Sequence, residues 1–242
     1  MISLLKNIAK KIILRSPFAF TQNERYDRLT KEIIKKNCGQ NSVCIDVGAH
    51  DGKILKMMLD AAPQAAHYAF EPIPELFQFL KQRFRKNVKT YCIALSDKKE
   101  TTSFNLVLTD MAYSGLLKRA YDKKENDISI FVETELLDAI IPANEKIALI
   151  KMDVEGAELL VMKGAIKTIQ QSKPILLFEF GKVGAVAYNY NDKDMFQFIN
   201  ETLQYNIFIL EDWLKNKPSL SQHNFSKNYN SAEEYFFVAE AK

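Results

Sequence analysis

Val43-Cys44-Ile45-Asp46-Val47-Gly48-Ala49-His50-Asp51-Gly52 decides the fold. Its first half, with Ser42 ahead of it, is an apolar run of strand length. Its second half is a glycine-bearing turn, and the residues that follow, Lys53–Ala61, have a helical pattern. The unit of strand, turn and helix then recurs. Ala66–Glu71 reads as a second strand and Pro74–Arg85 as a helix with proline in its first turn. Val88–Leu95 is a third strand and Ile147–Asp153 a fourth, with a helix over Ala157–Gln171 behind it. Pro174 introduces Ile175–Glu179, apolar enough to be buried on both faces. Asp192–Leu203 reads as a helix, Tyr205–Leu210 as a strand and Glu234–Ala239 as the last strand. Strands alternating with helices imply a mostly parallel sheet with helices on both faces, joined by right-handed crossovers. Thr101–Pro142 breaks the rhythm and reads as an insertion. It carries short strands near Thr101–Leu106 and Ile128–Glu133 and a loop holding Tyr113-Ser114-Gly115.

With 242 residues the chain fits one large α/β domain better than two, since a single core grows to roughly 250–300 residues. The 33 basic and 30 acidic residues give no concentrated basic face, so nucleic acid is not an expected partner. Lys81, Arg83, Arg85, Lys86 and Lys89 cluster on one predicted helix and its exit, and read as a solvated face. Cys38, Cys44 and Cys92 form neither a zinc spacing nor a disulfide framework, which fits a reducing cytoplasm. In the first 18 residues, Ile2, Leu5, Ile8, Ile12 and Ile13 recur at helical spacing, with Lys6, Lys10, Lys11 and Arg15 on the other face. Lysines interrupt every apolar stretch, so neither a signal-peptide core nor a membrane span forms. Such a helix suits packing on its own domain, the preferred reading, or peripheral contact with the anionic inner face of a membrane.

The acids fall at the strand ends. Asp46 closes the first strand and Glu71 the second, Asp97 follows the third, Asp153 and Glu155 the fourth, and Glu179 the fifth. Open parallel sheets bind ligands outside the carboxyl ends of their strands, so these acids should converge on one crevice. Any one of them alone would be explained as a helix cap or a partner of a helix dipole. In the turn, Gly48 lets the backbone double back and approach a ligand closely. Glu71 stands 25 residues after Asp46, near the offset of about 20 at which a second-strand acid takes ribose hydroxyls. His50 replaces the middle glycine of a dinucleotide turn, and Asp51 sits where a pyrophosphate would approach. An acid-lined turn suits a ligand carrying a sulfonium and an ammonium better than a dinucleotide.

VCIDVGAHDG (43–52), FEPIPELFQFL (70–80), ALSD (94–97), IKMDVEGAELLVMKGA (150–165) and EYFFVA near the end resemble the FkbM-type methyltransferases, in the family's order. The resemblance implies an α/β fold, the Rossmann-like class I methyltransferase fold, with a seven-stranded, mostly parallel sheet whose last strand is antiparallel. It implies S-adenosyl-L-methionine as cofactor and commonly a hydroxyl acceptor. Carried over by position, Asp46, Gly48 and Gly52 would shape the methionine and ribose side, with His50 and Asp51 in the same turn. Glu71, followed by Pro72, would take the ribose, Ser96 and Asp97 would flank the adenine, and Asp153 and Glu155 would border the methyl. The family often has asparagine where this chain has His50. On this reading 41–242 is the methyltransferase domain, with its insertion at about 101–142, and 1–40 is an N-terminal amphipathic helical segment.

Methyl transfer depends on in-line placement, and a hydroxyl acceptor also needs a proton acceptor within hydrogen-bond reach. Asp153 and Glu155 are the first catalytic candidates, with Glu179 and His50 behind them, while Glu158 reads as an acid of a first helical turn. No obligatory metal is expected, although the strand-end acids are hard oxygen donors of the kind magnesium accepts. The expected function is O-methylation of a sugar or another small polar acceptor in the cytoplasm. Two other readings stand beside it: a non-catalytic module that binds S-adenosyl-L-methionine, and a nicotinamide-dependent oxidoreductase, against which the missing central glycine counts.

Overall fold

Alternate residues of the first strand face opposite ways, and that alternation builds two cores on one sheet. A computed structural model describes residues 21–121 and 123–242. The amphipathic helix expected in the first 18 residues lies outside the described residues. The strands are β1 (Val43–Val47), β2 (His67–Phe70), β3 (Val88–Tyr91), β4 (Ala94–Leu95), β5 (Glu100–Val107), β6 (Asp127–Glu135), β7 (Ile147–Met152), β8 (Ile175–Glu179), β9 (Tyr205–Ile209) and β10 (Phe236–Ala241). Seven of them form one sheet in the order β3-β2-β1-β7-β8-β10-β9. β1, β2, β3, β7 and β8 run parallel, as the alternation of strands and helices predicts, and β10 is antiparallel to both its neighbours, as the family resemblance implies. The order reverses between β1 and β7, so the ligand crevice of such a sheet belongs there.

On one face Ile45, Val47, Ile150, Met152, Leu176 and Phe178 pack with the aromatic side chains Phe180, Phe225 and Phe237. On the other, Cys44, Leu149, Leu177 and Val238 pack under helix α1 (Gln22–Asn37), whose Tyr26, Leu29, Ile33 and Ile34 recur at helical spacing and are buried. Thr21 and Glu24 close a reciprocal capping box at the start of α1. Because 44 and 46 share a face, as do 149 and 151, Asp46 and Lys151 lie in this second core. The parallel register sets them side by side.

Several elements depart from the sequence reading. The third strand leaves the large sheet at Tyr91, and Ala94–Leu95 instead joins the insertion as β4 of a three-stranded sheet, β4-β6-β5. β5 and β6 pair antiparallel along their length, longer than the two short strands expected. The helix expected over Ala157–Gln171 is two helices, Glu158–Lys163 and Ile166–Ser172. Gly164 separates them where the carbonyl of Ser96 comes so close that a Cβ would lie 2.0 Å from it. The helix expected over Asp192–Leu203 ends at Gln197 and continues as a π-helical turn. Short helices at Lys182–Ala187, Leu210–Leu214 and Gln222–Ser231 had no expectation. No described helix is long and apolar enough to cross a membrane.

Candidate functional site

The turn after β1 is fixed by close backbone packing. Gly48 has φ +71°, and a Cβ there would lie 2.0 Å from the carbonyl oxygen of Asp153, so the turn rests directly on the exit of β7. The N–H groups of Gly48 and Ala49 both donate to the Phe70 carbonyl at 3.0 and 3.1 Å, tying the turn to β2. His50 takes a left-handed φ of 47°, and its backbone N–H donates to Glu71 Oε2 at 2.8 Å. Glu71 Oε1 accepts from Ile73 N–H at 3.0 Å. Glu71 is thereby oriented by two backbone donors, with lone pairs left on each oxygen. Burial raises its pKa, against the pull of these donors. Asp51 is exposed, and its side chain accepts from the Lys53 N–H at the start of the next helix.

Beneath the turn lies a charge pair that the sequence reading missed. Lys151 Nζ donates to the Gly48 carbonyl at 2.9 Å and stands 3.4 Å from Asp46 Oδ1 and 3.6 Å from Asp153 Oδ2. Asp46 is fully buried, and neither of its oxygens has a hydrogen-bond partner. Burial pushes the Asp46 carboxyl up and Lys151 pulls it back. Burial also works against the Lys151 charge, but Asp46 and Asp153 outweigh it and hold the ammonium protonated. At Asp153 burial is outweighed by Lys151, which keeps the carboxyl below its usual range. A signal was present: a lysine in the apolar strand IALIKM needs a buried partner.

Past β7 the chain makes a second strained turn. Glu155 has φ +58° and Gly156 φ +108°, and a Cβ on Gly156 would meet the Gly184 carbonyl at 2.6 Å. Glu158 Oε1 accepts from the N–H groups of Val154 and Gly156 at 2.9 and 3.3 Å, and the Tyr190 hydroxyl donates to the Gly156 carbonyl at 2.6 Å. This bracing brings carboxylate oxygens of Asp153, Glu155 and Glu179 within 4.8 Å of one another. Burial and the nearby Asp153 push Glu155 up to about 8, against the pull of Arg119. Burial takes Glu158 up to about 7, and burial with Asp153 takes Glu179 well above its usual value. Arg119, on the insertion, reaches in to contact Glu155 Oε2 at 2.5 Å.

These groups line one cleft of about 750 Å³ at the carboxyl ends of β1, β2, β7 and β8. Of the residues expected from the sequence, Gly48, His50, Asp51, Glu71, Pro72, Asp153, Glu155 and Glu179 line it. Asp46 and Gly52 do not: Asp46 lies beneath the turn against Lys151, and Gly52 begins a helix against Phe84. Ser96 and Asp97 also stand outside. Ser96 is buried with its N–H on the Glu135 carbonyl, and Asp97 is exposed. The residues just before them, Ile93, Ala94 and Leu95, face the cleft instead. Lys151 and Arg119, for which the sequence reading held no role, also line the cleft and pair with its acids Asp153 and Glu155.

The model of the methyltransferase FkbM domain matches residues 46–209, which is more than half of the chain. A solved methyltransferase FkbM from Methylobacillus flagellatus KT is similar at 16% identity and a TM-score of 0.51, over 84% of this chain and 44% of that one. The chain thus spans less than half the length of that protein. An rRNA methylase from Streptococcus thermophilus is similar at 10% identity and a TM-score of 0.45, over 88% of this chain and 95% of that one. No curated protein matches the sequence. The sheet is that of the class I, Rossmann-like methyltransferases, and the chain belongs to the FkbM methyltransferase domain family.

Proposed function

We propose that the chain transfers a methyl group from S-adenosyl-L-methionine to a hydroxyl of a small polar acceptor, with a sugar as the preferred case. The gathering of Asp153, Glu155 and Glu179 beside the glycine turn and Glu71 carries this reading. The donor's chemistry fits the residues present. Glu71 keeps lone pairs for ribose hydroxyls, Ile73, Ile93 and Leu95 offer an apolar wall for a flat base, and the acids answer a positively charged centre. When bound, the donor supplies an electrophilic methyl group on a sulfonium.

The chain's own residues divide the remaining work. Asp153, held ionised by Lys151, balances positive charge in the cleft. Glu155 is the proton acceptor, because a carboxyl near 8 lies closer to neutral pH than Asp153 does and binds the hydroxyl proton more firmly. Its ionised form is the active one, so turnover rises as pH increases towards about 8. Three acids on the acceptor side also disfavour a phosphate backbone, which supports a small acceptor over a nucleic acid.

The test is methyl transfer from radiolabelled donor to a panel of monosaccharides, nucleotide sugars, glycolipids, RNA and protein, with the products located by mass spectrometry. Methyl on a sugar hydroxyl is expected, with Glu155→Gln lowering kcat by about 100-fold or more. Donor binding with no turnover on the whole panel would turn the reading towards a non-catalytic module. Label found on RNA or protein alone would contradict the acceptor class.

A further inference from the structure

Arg119 is carried to the acid cluster by a segment of the insertion that is braced on several sides. Asn105 and Gly115 exchange two backbone hydrogen bonds, at 2.8 and 3.1 Å. The Leu117 N–H donates to the Tyr188 hydroxyl at 3.1 Å, and Asn105 Nδ2 donates to the Tyr121 hydroxyl at 2.6 Å. Lys118 pairs with Asp127 on β6 at 2.7 Å. Between these ties the Arg119 guanidinium lies 4.9 Å from the Tyr113 ring centroid, with Nη2 on Glu155. Its Nε is buried and has no partner.

The groups facing Glu155 come from five elements. β7 and its exit bring Lys151 and Asp153, the following helix Glu158, the end of β8 Glu179, the segment after Lys182–Ala187 Tyr188, and the insertion Arg119. Lys151 is already committed to Asp46, Asp153 and the Gly48 carbonyl. Three of the other groups are acids, and with burial they oppose ionisation of Glu155; the guanidinium in contact with it favours the carboxylate.

We propose that Arg119 is a positioning residue for Glu155: the insertion supplies the cation that favours the carboxylate form of this side chain and aims it into the cleft. The proposal rests on Glu155 being the proton acceptor, but it can be tested without knowing the acceptor. Full-length protein labelled with ¹³C at the glutamate carboxyls is titrated by NMR from pH 5 to 10, with Glu155 assigned through Glu155→Gln. In Arg119→Gln the Glu155 midpoint should rise by at least about one pH unit, because an opposite charge at contact distance is gone. Arg119→Lys should restore most of that change. A midpoint unmoved in Arg119→Gln overturns the proposal, as does a Lys variant that behaves like Gln. If Arg119→Gln does not fold, Arg119→Met is titrated in its place: a midpoint rise of at least about one pH unit supports the proposal, and no change overturns it. Absence of binding by S-adenosyl-L-methionine would sink the functional reading and leave this titration readable, so the two failures are distinguishable. With any acceptor the methylation panel yields, Arg119→Gln should shift the acid limb of kcat upward and leave the donor KM unchanged. A change confined to the donor KM would contradict it.

Discussion

Lys151 and Arg119 both set a positive charge against an acid of the same cleft, but they are built into opposite kinds of structure. Lys151 rises from the middle of the large sheet, in register with Asp46, and is buried. Arg119 arrives on a loop of the insertion, tied to the small sheet and to Tyr188. Removing the first cation strands a buried carboxylate inside a core, whereas removing the second disturbs a wall of the cleft. The charge balance of the site therefore has an inner part set by the register of the large sheet and an outer part set by a loop of the insertion.

The largest effect that could break this contrast is on stability. Lys151→Met leaves Asp46 buried without a cation, and losing one partner of a buried pair costs about 3–5 kcal/mol. Urea denaturation should show that loss, and adding Asp46→Asn should recover part of it. Wild-type stability in Lys151→Met would remove the distinction between the two regions. Next comes Gly48→Ala, where positive φ and the Asp153 carbonyl at 2.0 Å force the turn to move. A displacement of about 1 Å at such a site costs on the order of 100-fold. Turnover should therefore fall about 100-fold, and calorimetry should find S-adenosylhomocysteine bound more weakly; unchanged affinity would detach the turn from the donor.

Glu71→Gln keeps the backbone contact at Oε1 but loses the charge and the acceptor for the His50 N–H, so the donor should bind about 10-fold more weakly. Equal binding would mean that the ribose is held elsewhere. The smallest effect belongs to the outer region. Tyr188→Phe takes the acceptor from the Leu117 N–H, worth about 1 kcal/mol. Hydrogen exchange should quicken at Leu117 and stay unchanged along β1 and β7. Faster exchange in both places would show the two regions to be mechanically one.

The inner region was largely legible in the sequence, because period and strand-end chemistry are local signals. Lys53–Ala61 and Ile175–Glu179 fall where the pattern places them, and Glu71, Asp153 and Glu155 meet in the cleft as strand-end acids should. Lys151 was hidden because its meaning lies in the register of β7 on β1, which an apolar run does not reveal. Arg119 was hidden for a different reason: a loop has no period, and nothing local says that residue 119 will reach residue 155. The split at Gly164 has the same origin, a carbonyl arriving from Ser96 far along the chain. Ser96 and Asp97 were placed at the adenine by resemblance, while the chain turns early enough after β3 that Ile93, Ala94 and Leu95 are the residues of this stretch that line the cleft.

Everything proposed for the site depends on a cationic methyl donor lodging among these acids. Isothermal titration of the full chain with S-adenosyl-L-methionine tests that most directly, since it needs no acceptor. One site of micromolar affinity, weakened by Glu71→Gln, is the expected result. No heat of binding at millimolar ligand would contradict it.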